Sequence, residues 1–214
     1  MPYILENVAY LPVPKNACTS IKQMFYESEH RVKFSPYKGD NGKTVFIHNL
    51  HPTVLFNEID KSSIRELHRI AVVRDPIKRV LSAYSNRVVH HRELSVDKQG
   101  KRLAKYDLIP DPDLSTFIDR LDDYCSAVPS INHHTRAQVD FLGSDPAYLS
   151  RVYRFSELDI LAADVSQIAG KRLTLPWLQR GGPKLSFTDI TDSQHEKLRA
   201  LFAADYKVFG AWFQ

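Results

Sequence analysis

Two runs of the chain carry side chains suited to holding anions. The first, Pro14-Lys15-Asn16-Ala17-Cys18-Thr19-Ser20-Ile21-Lys22, joins a β-prone stretch to a helix-prone one and collects lysine, two hydroxyls and small side chains. Backbone amides at a helix N-terminus, with hydroxyl donors and a lysine beside them, suit a phosphate or a sulfate. The glycines of GxxxxGK[ST] are missing, which argues against a nucleoside triphosphate loop. No arginine follows Cys18 at the spacing of a cysteine phosphatase. The second run, Arg74-Asp75-Pro76-Ile77-Lys78-Arg79-Val80-Leu81-Ser82-Ala83-Tyr84, puts an arginine at the end of an apolar strand and a serine two turns into the following helix. Charge-assisted hydrogen bonds from that pair would hold a second phosphate. Two anion sites on one sheet point to a doubly phosphorylated nucleotide.

The elements that must position these residues read as alternating strands and helices. Ile4 to Tyr10 are β-prone, Pro12 and Pro14 break the run, and Ser20 to Tyr26 suit a helix. A second β run, Thr44 to His48, leads into the histidine-rich loop His48-Asn49-Leu50-His51-Pro52, and a helix is expected from Ser62 to Leu67. Ile70 to Val73 form a continuous apolar run, as for a strand covered on both faces, and Asp75-Pro76 supplies an N-cap with proline in the first turn. The helix then runs to about His91, with Ile77, Val80, Leu81, Tyr84 and Val88 on its core face and Arg79, Ser82 and Asn86 on another. Glu93 to Asp113, charged and holding Gly100, Pro110 and Pro112, has the composition of a loop or flexible excursion. Leu114 to Tyr124 resumes helix, Val152 to Phe155 suits a strand, Glu157 to Ala169 a helix, and Thr191-Asp192-Ser193-Gln194 is a capping box opening a helix through Phe202. This order implies an α/β fold, a mostly parallel central sheet flanked by helices, with ligands at the strand C-termini.

Composition sets the frame. The chain has 214 residues, 43% hydrophobic and 25% charged, so it is expected to fold as a single domain, 1–214, around one sizeable core. A formal charge of +4 suits an anionic ligand without requiring one. Apolar stretches fall far short of a membrane span and the N-terminus lacks a signal-peptide pattern, so no integral membrane segment and a cytoplasmic location are expected. Two cysteines, Cys18 and Cys125, are too few for a disulfide framework and read as reduced thiols.

At this point a resemblance enters. Val13-Pro14-Lys15-Asn16-Ala17-Cys18-Thr19-Ser20 resembles the 5′-phosphosulfate loop of carbohydrate sulfotransferases of the heparan and chondroitin type, and Val73-Arg74-Asp75-Pro76 through Arg79, Ser82 and Tyr84 resembles their 3′-phosphate motif, in the same order and at a similar separation. His134-Thr135-Arg136-Ala137-Gln138 is similar to a His-x-Arg-Pro-Gln segment of relatives, with alanine for proline, and Asp205-Tyr206-Lys207-Val208-Phe209-Gly210 resembles the family's ending. The resemblance implies the P-loop-kinase-like sulfotransferase fold and 3′-phosphoadenosine 5′-phosphosulfate (PAPS) as donor, with sulfate passing to an acceptor hydroxyl on a carbohydrate or glycolipid. It implies Lys15 at the leaving oxygen, amides of Asn16, Ala17, Cys18 and Thr19 with the Thr19 and Ser20 hydroxyls around the 5′-phosphate, and Arg74 and Ser82 at the 3′-phosphate. His48 or His51, lying between the two motifs, is the expected base, with His48 the first choice; histidine suits that role near neutrality. Arg180 is a further candidate for the cofactor, and His134 and Arg136 for the acceptor.

A sulfuryl group carries less charge than a phosphoryl, so no metal is expected. No membrane anchor of the Golgi type is present, which reads as a bacterial or truncated relative. Two other classes compete. A P-loop nucleotide or small-molecule kinase would share the sheet and the anion loop, but needs an acidic metal ligand at a strand end. A non-catalytic PAPS-binding or nucleic-acid-binding protein would fit the charge, yet the basic residues cluster at strand-to-helix junctions and form no stripe, so no nucleic-acid partner is expected.

Overall fold

In the computed structural model, residues 1–176 and 181–213 are described. They divide into two compact units, 1–74 with 138–176 and 211–213, and 75–137 with 181–210.

The first unit is built on a four-stranded sheet. The β-prone opening run forms two strands rather than one: β1 (Tyr3–Leu5) and β2 (Val8–Tyr10) pair antiparallel. Glu6 in the turn between them has φ 50°. Beyond β2 the chain enters α1 (Cys18–His30), a small hairpin of β3 (Tyr37–Lys38) and β4 (Thr44–Val45), and the one-turn helix α2 (Ile47–Leu50). Next comes β5 (His68–Val73). The expected strand over Thr44 to His48 is thus corrected: it stops at Val45, outside the main sheet, and His48 lies on α2. The cause is local, since the Asn49 side-chain oxygen accepts the Phe46 N–H at 2.7 Å and turns the chain into a helix. The expected helix over Ser62 to Leu67 reduces to a 3-10 turn at Ser62–Ile64.

Strand order is β1-β2-β5-β6, with β6 at Arg151–Arg154, and both β2·β5 and β5·β6 pair parallel. Ile70, Ala71, Val72 and Val73 of the central strand are wholly buried, as their unbroken apolar run requires. Tyr10, Ile21, Phe25, Tyr153 and Leu161 pack with Ile70 and Val72 into this unit's core. The helix α8 (Val139–Leu142) precedes β6, and α9 (Leu158–Ala169) follows it and contributes Leu161 and Val165. Burial on this scale, at roughly 25 cal/mol per Å² of apolar surface, is the main force holding the strands in register.

The second unit is helical. Asp75 caps α3 (Pro76–Ala83) by accepting the Lys78 N–H at 3.0 Å, with Pro76 at the first helical position. A π-type stretch, Tyr84–His90, extends the helix close to its expected end. Ile77, Val80, Leu81, Tyr84 and Val88 all lie in a core shared with residues of α5 (Leu114–Asp119), α6 (Leu121–Ala127), α7 (Pro129–Thr135) and α10 (Asp192–Leu201). Here α11 (Ala203–Phe209) follows α10 after Phe202. Of the residues expected on the other face, Arg79 and Asn86 are buried; α7 packs against α3, and the Arg136 carbonyl accepts Arg79 Nη1 at 3.1 Å. The Thr191 capping box forms in both directions, Gln194 N–H to Thr191 Oγ1 and Thr191 N–H to Gln194 Oε1, each 3.2 Å.

The segment Glu93 to Asp113 departs from its expected loop character. It holds α4 (Val96–Ala104), and Leu94, Leu103 and Leu108 are buried in the helical core while Lys98, Lys101 and Arg102 stay exposed. Three leucines anchor a segment whose average composition is that of a loop. Among the described residues no helix is long and apolar enough to cross a membrane. Leu103→Ala is expected to lower the unfolding free energy by about 2–5 kcal/mol in urea denaturation, the cost of a core cavity. A loop residue would shift it by no more than about 0.5 kcal/mol.

Candidate functional site

Three parallel strands of the first unit end on one edge of the sheet, and each is followed by a residue of interest: Lys15 after β2, Arg74 after β5 and Phe155 after β6. Between β2 and α1 the backbone takes an uncommon path. Lys15 has φ 68° and Ala17 φ 58°, both left-handed, with Asn16 between them not so. Such alternation is the pattern of an anion-binding nest, in which successive N–H groups converge on one side. Ala17 is the N-cap of α1 and no side chain caps that helix; its first turn contains no acid. First-turn amides have no partner within a helix, so the dipole's positive end and these donors suit an anion.

Buried amides hold the loop. Asn16 Nδ2 donates to the Val72 carbonyl at 2.8 Å and to Gln138 Oε1 at 2.7 Å, and both side chains are fully buried. The same Gln138 oxygen accepts the Arg74 N–H at 3.1 Å, and Gln138 Nε2 donates to the Arg74 carbonyl at 2.9 Å. Arg74 in turn donates from Nη1 to the Lys15 carbonyl at 3.4 Å, and its guanidinium carbon lies 4.5 Å from the centre of the Phe155 ring. A guanidinium stacked on an aromatic face keeps its edge donors for ligands and carbonyls.

An imidazole sits at the helix start. Thr19 Oγ1 and His48 Nε2 are 2.9 Å apart, and His48 Nδ1 is 3.2 Å from Lys22 Nζ, which also donates to Thr53 Oγ1 at 2.9 Å. Lys22 is fully buried, and loss of hydration lowers its pKa to about 8. His51 takes a different position. Its ring stacks on Tyr3 at 3.6 Å between centroids and 11° between planes, and burial, with the Lys22 charge, lowers its pKa.

The family model of the Sulfotransferase family matches residues 6–213. The chain belongs to the sulfotransferase family, and is an enzyme of sulfuryl transfer. Neither a curated protein nor a solved structure matches it.

The structure of this sulfotransferase therefore joins Lys15, Asn16 and Arg74 through hydrogen bonds and sets His48 against Thr19 in the helix turn that follows, with Ala17, Cys18 and Ser20 in the same loop and first turn. Cys18 and Ser20 are buried. Ser82, His134 and Arg136 belong to the second unit. There Ser82 is half-buried on α3, His134 Nδ1 lies 2.7 Å from the Ser130 carbonyl, and Arg136 follows α7. Arg180 lies outside the described residues.

Sequence reasoning missed Lys22, Gln138 and Phe155. A signal existed for the first: Thr19 and Lys22, three residues apart, share a helix face. Gln138 closes the His134-Thr135-Arg136-Ala137-Gln138 segment, but nothing local links it to Asn16, 122 positions away. Gln138→Leu leaves the Asn16 amide and the Arg74 N–H without their common acceptor, and should cost about 2–4 kcal/mol of unfolding free energy by denaturant titration. A loss below about 0.5 kcal/mol would show that these bonds are not what holds the loop.

Proposed function

We propose that this sulfotransferase takes PAPS as donor and transfers its sulfuryl group to a hydroxyl of a carbohydrate or glycolipid. The observation that carries the reading is the 2.9 Å contact between Thr19 and His48, because it sets an imidazole against the first turn of an acid-free, uncapped helix N-terminus. The chemistry of the donor set fits the nucleotide. The left-handed loop, the Thr19 and Ser20 hydroxyls, Lys15 and Arg74 offer hydrogen-bond donors and positive charge, the complement of phosphate and sulfate oxygens.

When bound, PAPS supplies an activated sulfuryl group on a phosphate leaving group. The residues do the rest. Lys15 neutralises charge on the leaving oxygen, and the loop amides with Thr19 and Ser20 hold the 5′ end in place. Arg74 holds the 3′-phosphate. His48 takes the proton of the acceptor hydroxyl at Nε2. Positioning and preorganised charge are the sources of rate in such a site. The carbohydrate acceptor rests on the likeness of the Lys15 and Arg74 motifs to those of the carbohydrate branch.

Calorimetry with adenosine 3′,5′-bisphosphate, without magnesium, should give submillimolar binding. Heat with ATP and Mg²⁺ but none with the bisphosphate would replace this reading by a kinase. Arg74→Ala should weaken bisphosphate binding by about 1.5–3 kcal/mol, the worth of a charged hydrogen-bond partner; unchanged affinity would remove Arg74 from the site. In a radiolabelled-sulfate transfer screen over glycans, glycolipids and small alcohols, the acceptor found should be sulfated at least about 10²-fold more slowly by His48→Ala, with bisphosphate affinity kept. Full activity in that variant would move the base elsewhere.

A further inference from the structure

Lys22 is a buried amine without an ion pair among the described residues. Its hydrogen-bond partners are His48 Nδ1 at 3.2 Å and Thr53 Oγ1 at 2.9 Å. Burying a cation with only neutral partners is costly, and lysines are rarely placed so for packing alone. The groups with charge or titration that face it are Cys18 on its own helix, His48 on α2, His51 just beyond α2, and the Met1 amino group. Cys18 favours the ammonium. Met1 and His51 are both pushed toward their neutral forms by Lys22, and burial pushes them the same way.

A neutral imidazole has one N–H and one lone pair, and what one nitrogen bonds to decides the other. An ammonium at position 22 can only donate. His48 Nδ1 then accepts, the ring proton sits on Nε2, and Nε2–H points to Thr19 Oγ1. In that state Nε2 has no lone pair to offer. A neutral amine can accept from Nδ1–H, and Nε2 then carries the lone pair, which accepts from the Thr19 hydroxyl until that hydroxyl turns to the 5′-phosphate and the acceptor O–H takes its place.

We propose that Lys22 is the positioning residue of His48: its amine bonds Nδ1 and sets the ring tautomer, so that Nε2 is a base only while the amine is neutral. The inference rests on the reading of His48 as the base. In the step it supports, the acceptor O–H breaks and Nε2–H forms, while the proton on Nδ1 passes to Lys22 Nζ. The imidazole stays neutral, the amine becomes an ammonium, and the electron pair left on the acceptor oxygen forms the O–S bond as the S–O bond to the leaving phosphate breaks. With burial lowering the Lys22 pKa to about 8, the ammonium that holds the Nε2–H tautomer is present below that pH, and the Nδ1–H tautomer becomes available above it.

The test needs no ligand. The full chain, labelled with ¹⁵N-histidine, is titrated from pH 6 to 10, and the His48 ring nitrogens are followed by NMR, assigned by their loss in His48→Ala. The expected result is a neutral ring that exchanges Nε2–H for Nδ1–H with a midpoint at about 8. In Lys22→Met, which keeps the length of the side chain without its charge, that exchange should vanish. One unchanging neutral tautomer in the unsubstituted protein overturns the proposal without any variant, and so does the same midpoint in a folded Lys22→Met. Loss of the base role by His48 would appear as full sulfate transfer in His48→Ala, a separate result from the titration.

Discussion

Two buried primary amides, Asn16 and Gln138, close the C-terminal end of β5 and tie it to the loop that opens α1. At that point the strand leaves polar groups that the sheet no longer pairs: the Val72 carbonyl, and the N–H and carbonyl of Arg74. Leaving such groups dry costs about 1–3 kcal/mol each. An amide side chain has an acceptor and donors in one plane, so Gln138 answers both sides of Arg74 and still accepts from Asn16. An apolar pair of the same volume would fill the space and satisfy none of them. Because the bonds have direction, they fix the orientation of the Lys15 loop as well as its distance from Arg74. Left-handed backbone at Lys15 and Ala17 costs on the order of 1 kcal/mol or more per residue, and persists only where surrounding bonds over-determine it. The amides supply that constraint, so the loop's backbone donors are held in place by the protein's own bonds.

A second constraint is electrostatic. α1 presents its positive end to the Lys15 loop, and one turn further along the same helix buries Lys22. Stability alone would favour an apolar residue there, since an unpaired interior cation is among the least favourable groups a core can hold. The lowered pKa records that cost, and burial is its largest cause. Groups with such displaced ionisation concentrate where proton transfer is needed. What the buried Lys22 amine meets is polar, His48 Nδ1 and Thr53 Oγ1, which is the ground for the role proposed for it beside His48.

What could be read from the sequence was what local rules determine. Asp75-Pro76 and Thr191 through Gln194 announce helix starts because a cap and its amides lie within three residues of each other, and both form. The strand-to-helix junction around Lys15 was legible for the same reason: a strand, a break at Pro12 and Pro14, and a helix with hydroxyls at its start. Non-local bonds were not legible. Leu94, Leu103 and Leu108 have no regular period, so nothing in Glu93 to Asp113 reveals that its leucines are core while its lysines are solvated. Thr44 to His48 has the residue types of a strand, and only the Asn49 bond to Phe46 decides for a helix. Lysine at position 22 carries a strong expectation of exposure, which tertiary packing overrides.

The same helix also orients the His48 ring. Thr19 and Lys22 are three residues apart on α1, and between them they reach both nitrogens of one imidazole. The rise and pitch of a helix fix the separation of those two side chains, so the His48 ring takes its orientation from α1 rather than from the four-residue helix that carries it. Asn16, two residues before α1, is bonded to Val72 and Gln138, and Gln138 to Arg74. Hydrogen bonds thus run from Arg74 through Gln138 to Asn16, the chain leads from Asn16 into the first turn of α1, and Thr19 there meets His48 Nε2. A displacement of about 1 Å between base and bound donor can cost on the order of 10²-fold in rate. In the proposed mechanism the Lys15 loop leads directly into α1, and α1 carries the two side chains that hold the His48 ring, so loop and ring share one support.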